Sequence, residues 1–246
     1  MDQRCIVVTG ASRGIGAAIA HRLASAGRYV ACVSRSGGMP HRDASPETIS
    51  RWIPIQADVT DVTSLREAYE KIIGRGLRVT GLVNNAGIYL EGPSADVSAD
   101  HWREVIDTNA TAVFTSCQVA YPALLAAGGG LIVNMGSFFD KLGVRRSAAY
   151  CASKAAVGAI TRCLAVEWAA KGIRVIDVAP GYIQTDLNAK ALGQGPLRAY
   201  LEARIPSGSP GTPDDVASLV GSLFADGGRF LTGETIYIDG AQGIAH

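Results

Sequence analysis

Short β-branched apolar runs alternate with alanine-rich stretches of helical length along nearly the whole chain, and this alternation restricts the fold more than any other feature. Parallel strands need a long crossover to return to the same edge, and such strands are buried on both faces, so they read as continuous Val/Ile/Leu runs. Strand-like runs lie near residues 4–9, 28–34, 51–56, 78–84, 130–136, 173–179 and 234–238. Helical stretches lie near 14–26, 63–75, 98–126, 147–171 and 213–225. The pattern predicts an α/β fold, doubly wound, with a seven-stranded, mainly parallel sheet and helices on both faces. A chain of 246 residues, 48% of them hydrophobic, is long enough for one large core, so residues 1–246 are expected to form a single domain. Two stretches break the rhythm. Ser36 to Ser50, with Gly37, Gly38, Pro40 and Pro46, reads as a loop, and residues 182–210 read as a movable substrate flap around a short helix at Leu197 to Arg204.

Composition removes several function classes. A net charge of +1 supplies no field for nucleic acid or an anionic membrane surface, which leaves small molecules as the expected partners. Cys5, Cys32, Cys117, Cys151 and Cys163 are odd in number and widely spaced, as expected of reduced thiols, and neither they nor the histidines have the spacing of metal ligands. Cys151 adjoins Tyr150 but points elsewhere on a helix, so it reads as a packing residue. The apolar strand Arg4 to Thr9 follows the N-terminus without a secretory leader, so a cytoplasmic location is expected. Residues 108–139 carry no charge, yet Asn109, Gln118, Pro122, Gly128 to Gly130 and Asn134 interrupt them, and they read as helix, turn and strand rather than a membrane span.

Directly after the first strand comes Thr9-Gly10-Ala11-Ser12-Arg13-Gly14-Ile15-Gly16, followed by an apolar helix. Glycines at 10, 14 and 16 permit a tight turn and close approach of backbone to a pyrophosphate, which the helix N-terminus then faces with free N–H groups. A second constellation lies at Tyr150 and Lys154, four residues apart and so on one helix face. A cation ~4.5 Å from the phenol is worth about 4 kcal/mol at an effective dielectric of 20, or roughly 2.7 pKa units, but under ~1 unit in bulk water. The pair therefore makes a proton donor and acceptor only in an enclosed site. Ser137, just beyond the strand Leu131 to Met135, is placed to stabilise a carbonyl oxygen as negative charge develops, although a lone serine there also suits a strand-end turn.

Together these motifs resemble the short-chain dehydrogenase/reductase family, nearest its 3-oxoacyl-carrier-protein reductase-like branch. The resemblance is carried by Thr9 to Gly16, Asp58-Val59, Asn84-Asn85-Ala86-Gly87, Asn109, Ser137, Tyr150 with Lys154, Pro180-Gly181 with Thr185, and Leu231 to Gly240. It implies a Rossmann-like fold and an oxidoreductase that interconverts a ketone or aldehyde and an alcohol, with Asn109, Ser137, Tyr150 and Lys154 as catalytic residues. It also implies that Tyr150 exchanges the proton, that Lys154 holds the nicotinamide ribose and that Asn109 binds a water linking Lys154 to solvent. Asp58 and Val59 would flank the adenine, Asn85, Ala86 and Gly87 would border its ribose, and Pro180, Gly181, Ile183 and Thr185 would embrace the nicotinamide. A homotetramer is implied, with the helices at 108–126 and 147–171 as contact faces.

The second strand ends in Ser34-Arg35-Ser36 without the carboxylate that binds the ribose hydroxyls of NAD. Arg13 and Arg35 suit a 2'-phosphate, with Ser12, Ser34 and Ser36 as smaller donors, so NADP(H) is preferred and NAD(H) is the alternative. Carrier-protein docking in that branch uses basic residues near the entrance, whereas Ala126 to Gly130 carries none and only Lys171 remains. This argues against an acyl carrier protein as partner. Phe138, Phe139, Leu142, Val144, Tyr182 and Leu187 are candidates either for an apolar substrate pocket or for core. The expected substrate is a 3-oxoacyl thioester or related carbonyl compound. The alternatives are an NAD-dependent dehydrogenase of a cyclic or sugar alcohol and, from another class, a noncatalytic nucleotide-sensing scaffold.

Overall fold

A computed structural model describes residues 3–185, 195–225 and 228–245. Seven strands, β1 (Arg4–Thr9), β2 (Tyr29–Ser34), β3 (Trp52–Gln56), β4 (Arg78–Asn84), β5 (Gly130–Met135), β6 (Ile173–Pro180) and β7 (Thr235–Ile238), form one sheet in the order β3-β2-β1-β4-β5-β6-β7. Every neighbouring pair is parallel. The winding reverses between β1 and β4, and in such sheets the crevice beyond the carboxyl ends at that point is the ligand site.

One face carries α3 (Val62–Ile73), α5 (Ala112–Ala126) and α6 (Ala148–Trp168), whose Leu65, Cys117, Leu124, Val157 and Leu164 are buried. The other carries α1 (Gly14–Ser25) and α8 (Pro213–Phe224). Alternate residues of β1 divide between the two layers, Cys5 and Val7 in one and Ile6 and Val8 in the other, which explains the unbroken apolar reading of this strand. The buried alanines Ala17, Ala18, Ala20 and Ala24 let α1 lie close to the sheet. A Thr212 capping box with Asp215, followed by Pro213, fixes the start of α8.

Three boundaries differ from the sequence reading. The Ser36–Ser50 loop contains a one-turn helix, α2 (Pro46–Ile49), started by the Ser45 hydroxyl accepting from Thr48 N. The helix expected over 98–126 is divided into α4 (Ala99–Ile106), a π-turn (Asp107–Thr111) and α5. The helix expected over 147–171 finishes as a 3-10 turn at Ala169–Lys171, stopped by the left-handed Gly172. Within the expected flap, α7 (Pro196–Arg204) seats Leu201, followed by Ile205, against Tyr182. Residues 186–194 of that flap, with the pocket candidate Leu187, lie outside the described residues. Among the described residues no helix is long and apolar enough to cross a membrane.

A buried polar chain ties β4, β5 and α6 together beneath the site. Asn84 Nδ2 donates to Asn134 Oδ1 at 2.9 Å, and Asn134 Nδ2 donates to Thr161 Oγ1 at 2.9 Å. Asn134 and Thr161 have no exposed surface, so each group depends on the next for its hydrogen bond. Asn134→Ala takes its donor from the Thr161 hydroxyl and leaves the Asn84 amide with only the weak Cys117 Sγ acceptor at 3.3 Å, and is expected to cost about 1–3 kcal/mol. Urea unfolding checks this, and a loss below ~1 kcal/mol would show that the chain is not structurally required.

Candidate active site

At the carboxyl end of β1 the backbone turns through Gly10 (φ +65°) and Gly14 (φ +55°) into α1. A side chain at Gly16 would collide with the Gly10 carbonyl and the Asn85 amide, so position 16 tolerates no Cβ. α1 begins without a side-chain cap or an acidic residue in its first turn. Its first N–H groups therefore have no partner within the helix and suit an anion. A 270 Å3 cavity opens beside Gly14 and Thr185, lined also by His41, Arg42, Gln184 and Pro213.

Thr9 and Asn85 brace the turn from below. Thr9 Oγ1 accepts from Asn85 N at 3.0 Å and Ala86 N at 3.1 Å, and donates to Val83 O at 3.4 Å. Asn85 Nδ2 donates to the carbonyls of Thr9 at 3.1 Å and Gly10 at 3.2 Å. The Asn85 side chain thus holds the glycine turn in shape.

Tyr150, Lys154, Ser137 and Asn109 converge beyond β4 and β5. Ser137 follows β5, caps the 3-10 turn Phe138–Lys141 and hydrogen-bonds the Tyr150 phenol. Lys154 is 6% exposed, and its Nζ donates to Met135 O at 2.8 Å. The π-turn points Asn109 inward, where Oδ1 accepts from Ile88 N and Nδ2 donates to Ile88 O, both at 2.8 Å. Its other amide hydrogen goes to Ser153 Oγ at 3.2 Å, and Ser153 donates to Tyr150 O at 2.7 Å. With both amide hydrogens used, the Asn109 side chain clamps the Ile88 backbone and ties it to Ser153 of α6. Rings enclose the phenol, with Tyr89 edge-on at 5.0 Å and Phe139 edge-on at 5.9 Å, and Tyr182 lies 6.0 Å from Phe139.

The electrostatics differ from the simple cation–phenol pair. Burial pushes Tyr150 up to about 12, and the Ser137 hydrogen bond only partly opposes this. The Lys154 ammonium donates to the β5 carbonyl and stands 5.6 Å from the centre of the phenol ring. Burial lowers Lys154 itself to about 8, opposed by the charge of Asp177.

A family model described as enoyl-(acyl carrier protein) reductase matches residues 10–241. The chain is 36% identical to 3β-hydroxysteroid dehydrogenase 1 of Eggerthella lenta, over 97% of this chain and 93% of that protein. The chain belongs to the short-chain dehydrogenase/reductase family. Members of the family are oxidoreductases acting on alcohol or carbonyl groups. The chain is also 35% identical to a 3-oxoacyl-(acyl-carrier-protein) reductase of Staphylococcus aureus, over 96% of each chain. A solved gluconate 5-dehydrogenase from Burkholderia cenocepacia, in complex with NADP and tartrate, matches at TM-score 0.89 and 28% identity, covering 100% of this chain and 97% of that one.

In this short-chain dehydrogenase/reductase the remaining candidate residues lie at or just after the carboxyl ends of β1, β2, β3, β4 and β6. Arg13 and Arg35 are exposed, and the Ser34 and Ser36 hydroxyls lie 3.4 Å apart at the end of β2. Asp58 accepts from Thr60 N and Oγ1, which with nearby Arg35 hold its carboxyl low. Val59, Asn85 and Ala86 are half-buried and Gly87 is exposed. A side chain at Gly87 would stand 3.1 Å from Asn109 Oδ1 and 3.8 Å from Lys154 Nζ. Pro180 ends β6, Gly181 N donates to Ile238 O, and Ile183 bridges to Gly211 ahead of Thr185. Of the apolar candidates, Phe138 and Phe139 are buried, while Leu142, Val144 and Tyr182 are half-buried.

The sequence reading missed Ser153, Tyr89 and Asp177. It also missed His41, whose N–H donates to Ser12 O at 2.8 Å, and Arg42, bound to Asp214 at 2.8 Å. No motif marks these positions, although the brevity of the Ser36–Ser50 segment was a sign that it stays near the glycine turn. Thr9→Val keeps the shape of Thr9 but leaves the Ala86 N–H unpaired and Asn85 N with only Val83 O, at 3.2 Å. It should cost about 2–4 kcal/mol of stability and weaken dinucleotide binding, as thermal unfolding and cofactor titration will measure. Unchanged values in both would remove the brace from the description of the site.

Proposed function

We propose that this protein is an NADP(H)-dependent oxidoreductase that interconverts a ketone or aldehyde and an alcohol, with Tyr150 as general acid and base. The observation that carries this reading is the meeting of Ser137, Tyr150 and Lys154 beside a glycine turn whose helix N-terminus is uncapped. In the proposed arrangement Gly10, Ser12, Arg13, Gly14, Ile15 and Gly16 hold the pyrophosphate side. Asp58, Val59, Asn85, Ala86 and Gly87 border the adenosine, and Pro180, Gly181, Ile183 and Thr185 border the nicotinamide. When bound, the nicotinamide supplies or accepts the hydride.

The residues of the chain do the rest. A phenol held at about 12 is protonated at neutral pH, so Tyr150 is ready to donate to an oxygen that gains negative charge during reduction. Ser137 donates to the same oxygen and stabilises its charge. In the oxidative direction the Lys154 ammonium lowers the cost of the phenolate and holds the ribose hydroxyls. The Tyr89, Phe139 and Tyr182 rings make the approach to Tyr150 apolar. They favour a 3-oxoacyl thioester or related carbonyl compound with an apolar flank over a polyol, although the likeness to a gluconate 5-dehydrogenase keeps sugar alcohols in the substrate panel.

The NADP(H) preference rests on Arg13 and Arg35 with Ser34 and Ser36, and on the lack of a carboxylate at the end of β2. It predicts a higher kcat/KM with NADPH than with NADH, and the reverse order would defeat it. Across a panel of carbonyls and alcohols that includes an acyl thioester, Tyr150→Phe is expected to lose nearly all turnover while retaining cofactor binding. Near wild-type turnover would refute the assigned role. Cofactor binding by the unaltered protein with no turnover of any panel member would favour the nucleotide-sensing scaffold.

A further inference from the structure

Asp177 sits in the middle of β6 with no exposed surface, between Asn134 of β5 and Thr235 of β7. An ionised carboxylate inside a sheet is costly unless opposite charge and hydrogen bonds compensate, so its place needs a local cause. Thr235 Oγ1 donates to Asp177 Oδ2 at 3.0 Å. Two glycines make room for the carboxylate. A side chain at Gly136, the residue before Ser137, would collide with both of its oxygens, and one at Gly158 of α6 would lie 3.7 Å from Oδ2. Gly158 is four residues beyond Lys154 and so lies on the same helix face. Met135, whose carbonyl accepts from Lys154, immediately precedes Gly136. The slot for Asp177 is therefore built from the same strand end and the same helix face that position Ser137 and Lys154.

We infer that Asp177 is a positioning residue whose buried carboxylate keeps Lys154 in its ammonium form while Lys154 faces Tyr150. The functional part of this inference rests on the role proposed for Lys154, but the proton equilibrium itself does not. The charges around the pair are few. Lys154 is faced by Tyr150 from its own helix and by Asp177 from β6. Asp177 is faced by Lys154 and, with unfavourable sign, by Asp140 of the 3-10 turn. Asp140 accepts a hydrogen bond from Tyr237 of β7, and Arg162 of α6 is exposed. Burial holds Asp177 at about 6 and Lys154 at about 8, and each charge opposes the shift of the other. Both groups are thus charged between those values. Removing the carboxylate removes what raises Lys154, so the ammonium then loses its proton at lower pH.

The test follows Lys154 in protein labelled with 13C-lysine, without cofactor, its resonance assigned by loss in Lys154→Met. The wild-type midpoint is expected near 8. Asp177→Asn keeps an acceptor for Thr235 and should lower Lys154 proton affinity roughly tenfold, about one pH unit. An unchanged midpoint overturns the inference. Should Asp177→Asn fail to fold, the reciprocal measurement decides. In Lys154→Gln, the 13C-carboxyl titration of Asp177 should move above about 6, because coupling between two sites is mutual, and an unmoved titration there also overturns it. The alkaline limb of kcat/KM should follow Lys154 downward in Asp177→Asn. A Lys154 midpoint that moves without that limb supports the coupling and overturns instead the role given to Lys154 in the reaction.

Discussion

Holding the Lys154 ammonium at 6% exposure costs several kcal/mol unless its field and its donors are answered locally, and the way they are answered shapes the active end of the molecule. The Met135 carbonyl at the end of β5 takes one hydrogen bond, and the buried Asp177 of β6 supplies opposite charge. α6 is thereby tied to the end of β5 and the middle of β6, and one turn earlier on the same helix Tyr150 meets Ser137 from the loop after β5. Moving the ammonium outward would loosen the strand contact and the phenol together. The proton donor and the charge beside it are consequently set by packing, and burial lifts the first while it depresses the second.

A second set of contacts solves a backbone problem at the same edge. Strands that end at a ligand crevice leave peptide groups without sheet partners, and small polar side chains supply them. Thr9 answers Asn85 and Ala86, Asn85 answers Thr9 and Gly10, and Asn109 answers both backbone groups of Ile88. These side chains convert irregular loops into fixed walls. The glycine turn can then stay open to an anion, because its shape is maintained from the protein side.

Much of this architecture was legible in the residues. The apolar runs located all seven strands within a residue or two, since strands buried on both faces carry few polar positions to obscure them. The glycine spacing placed the turn and the start of α1, and the four-residue interval placed Tyr150 and Lys154 on one face. The one-turn helix at Pro46–Ile49 escaped because its proline and serine also suit a loop, and its Ser45 cap is visible only once the chain is folded. The π-turn at Asp107–Thr111 escaped for another reason. Its extra residue changes no local propensity, and it accompanies the docking of the Asn109 side chain on Ile88 across the site.

Residue order by itself determined the parallel sheet, the glycine-lined crevice at its switch point and the face shared by Tyr150 and Lys154, because periodicity and chain geometry are local properties. Tertiary structure alone decided where the Lys154 ammonium points, how far burial raises the phenol, that Asn109 and Asn85 serve as backbone clamps, and that Asp177 lies beneath the site. Those outcomes depend on solvent exclusion and on partners dozens of residues away, and neither is encoded in any short stretch of the chain.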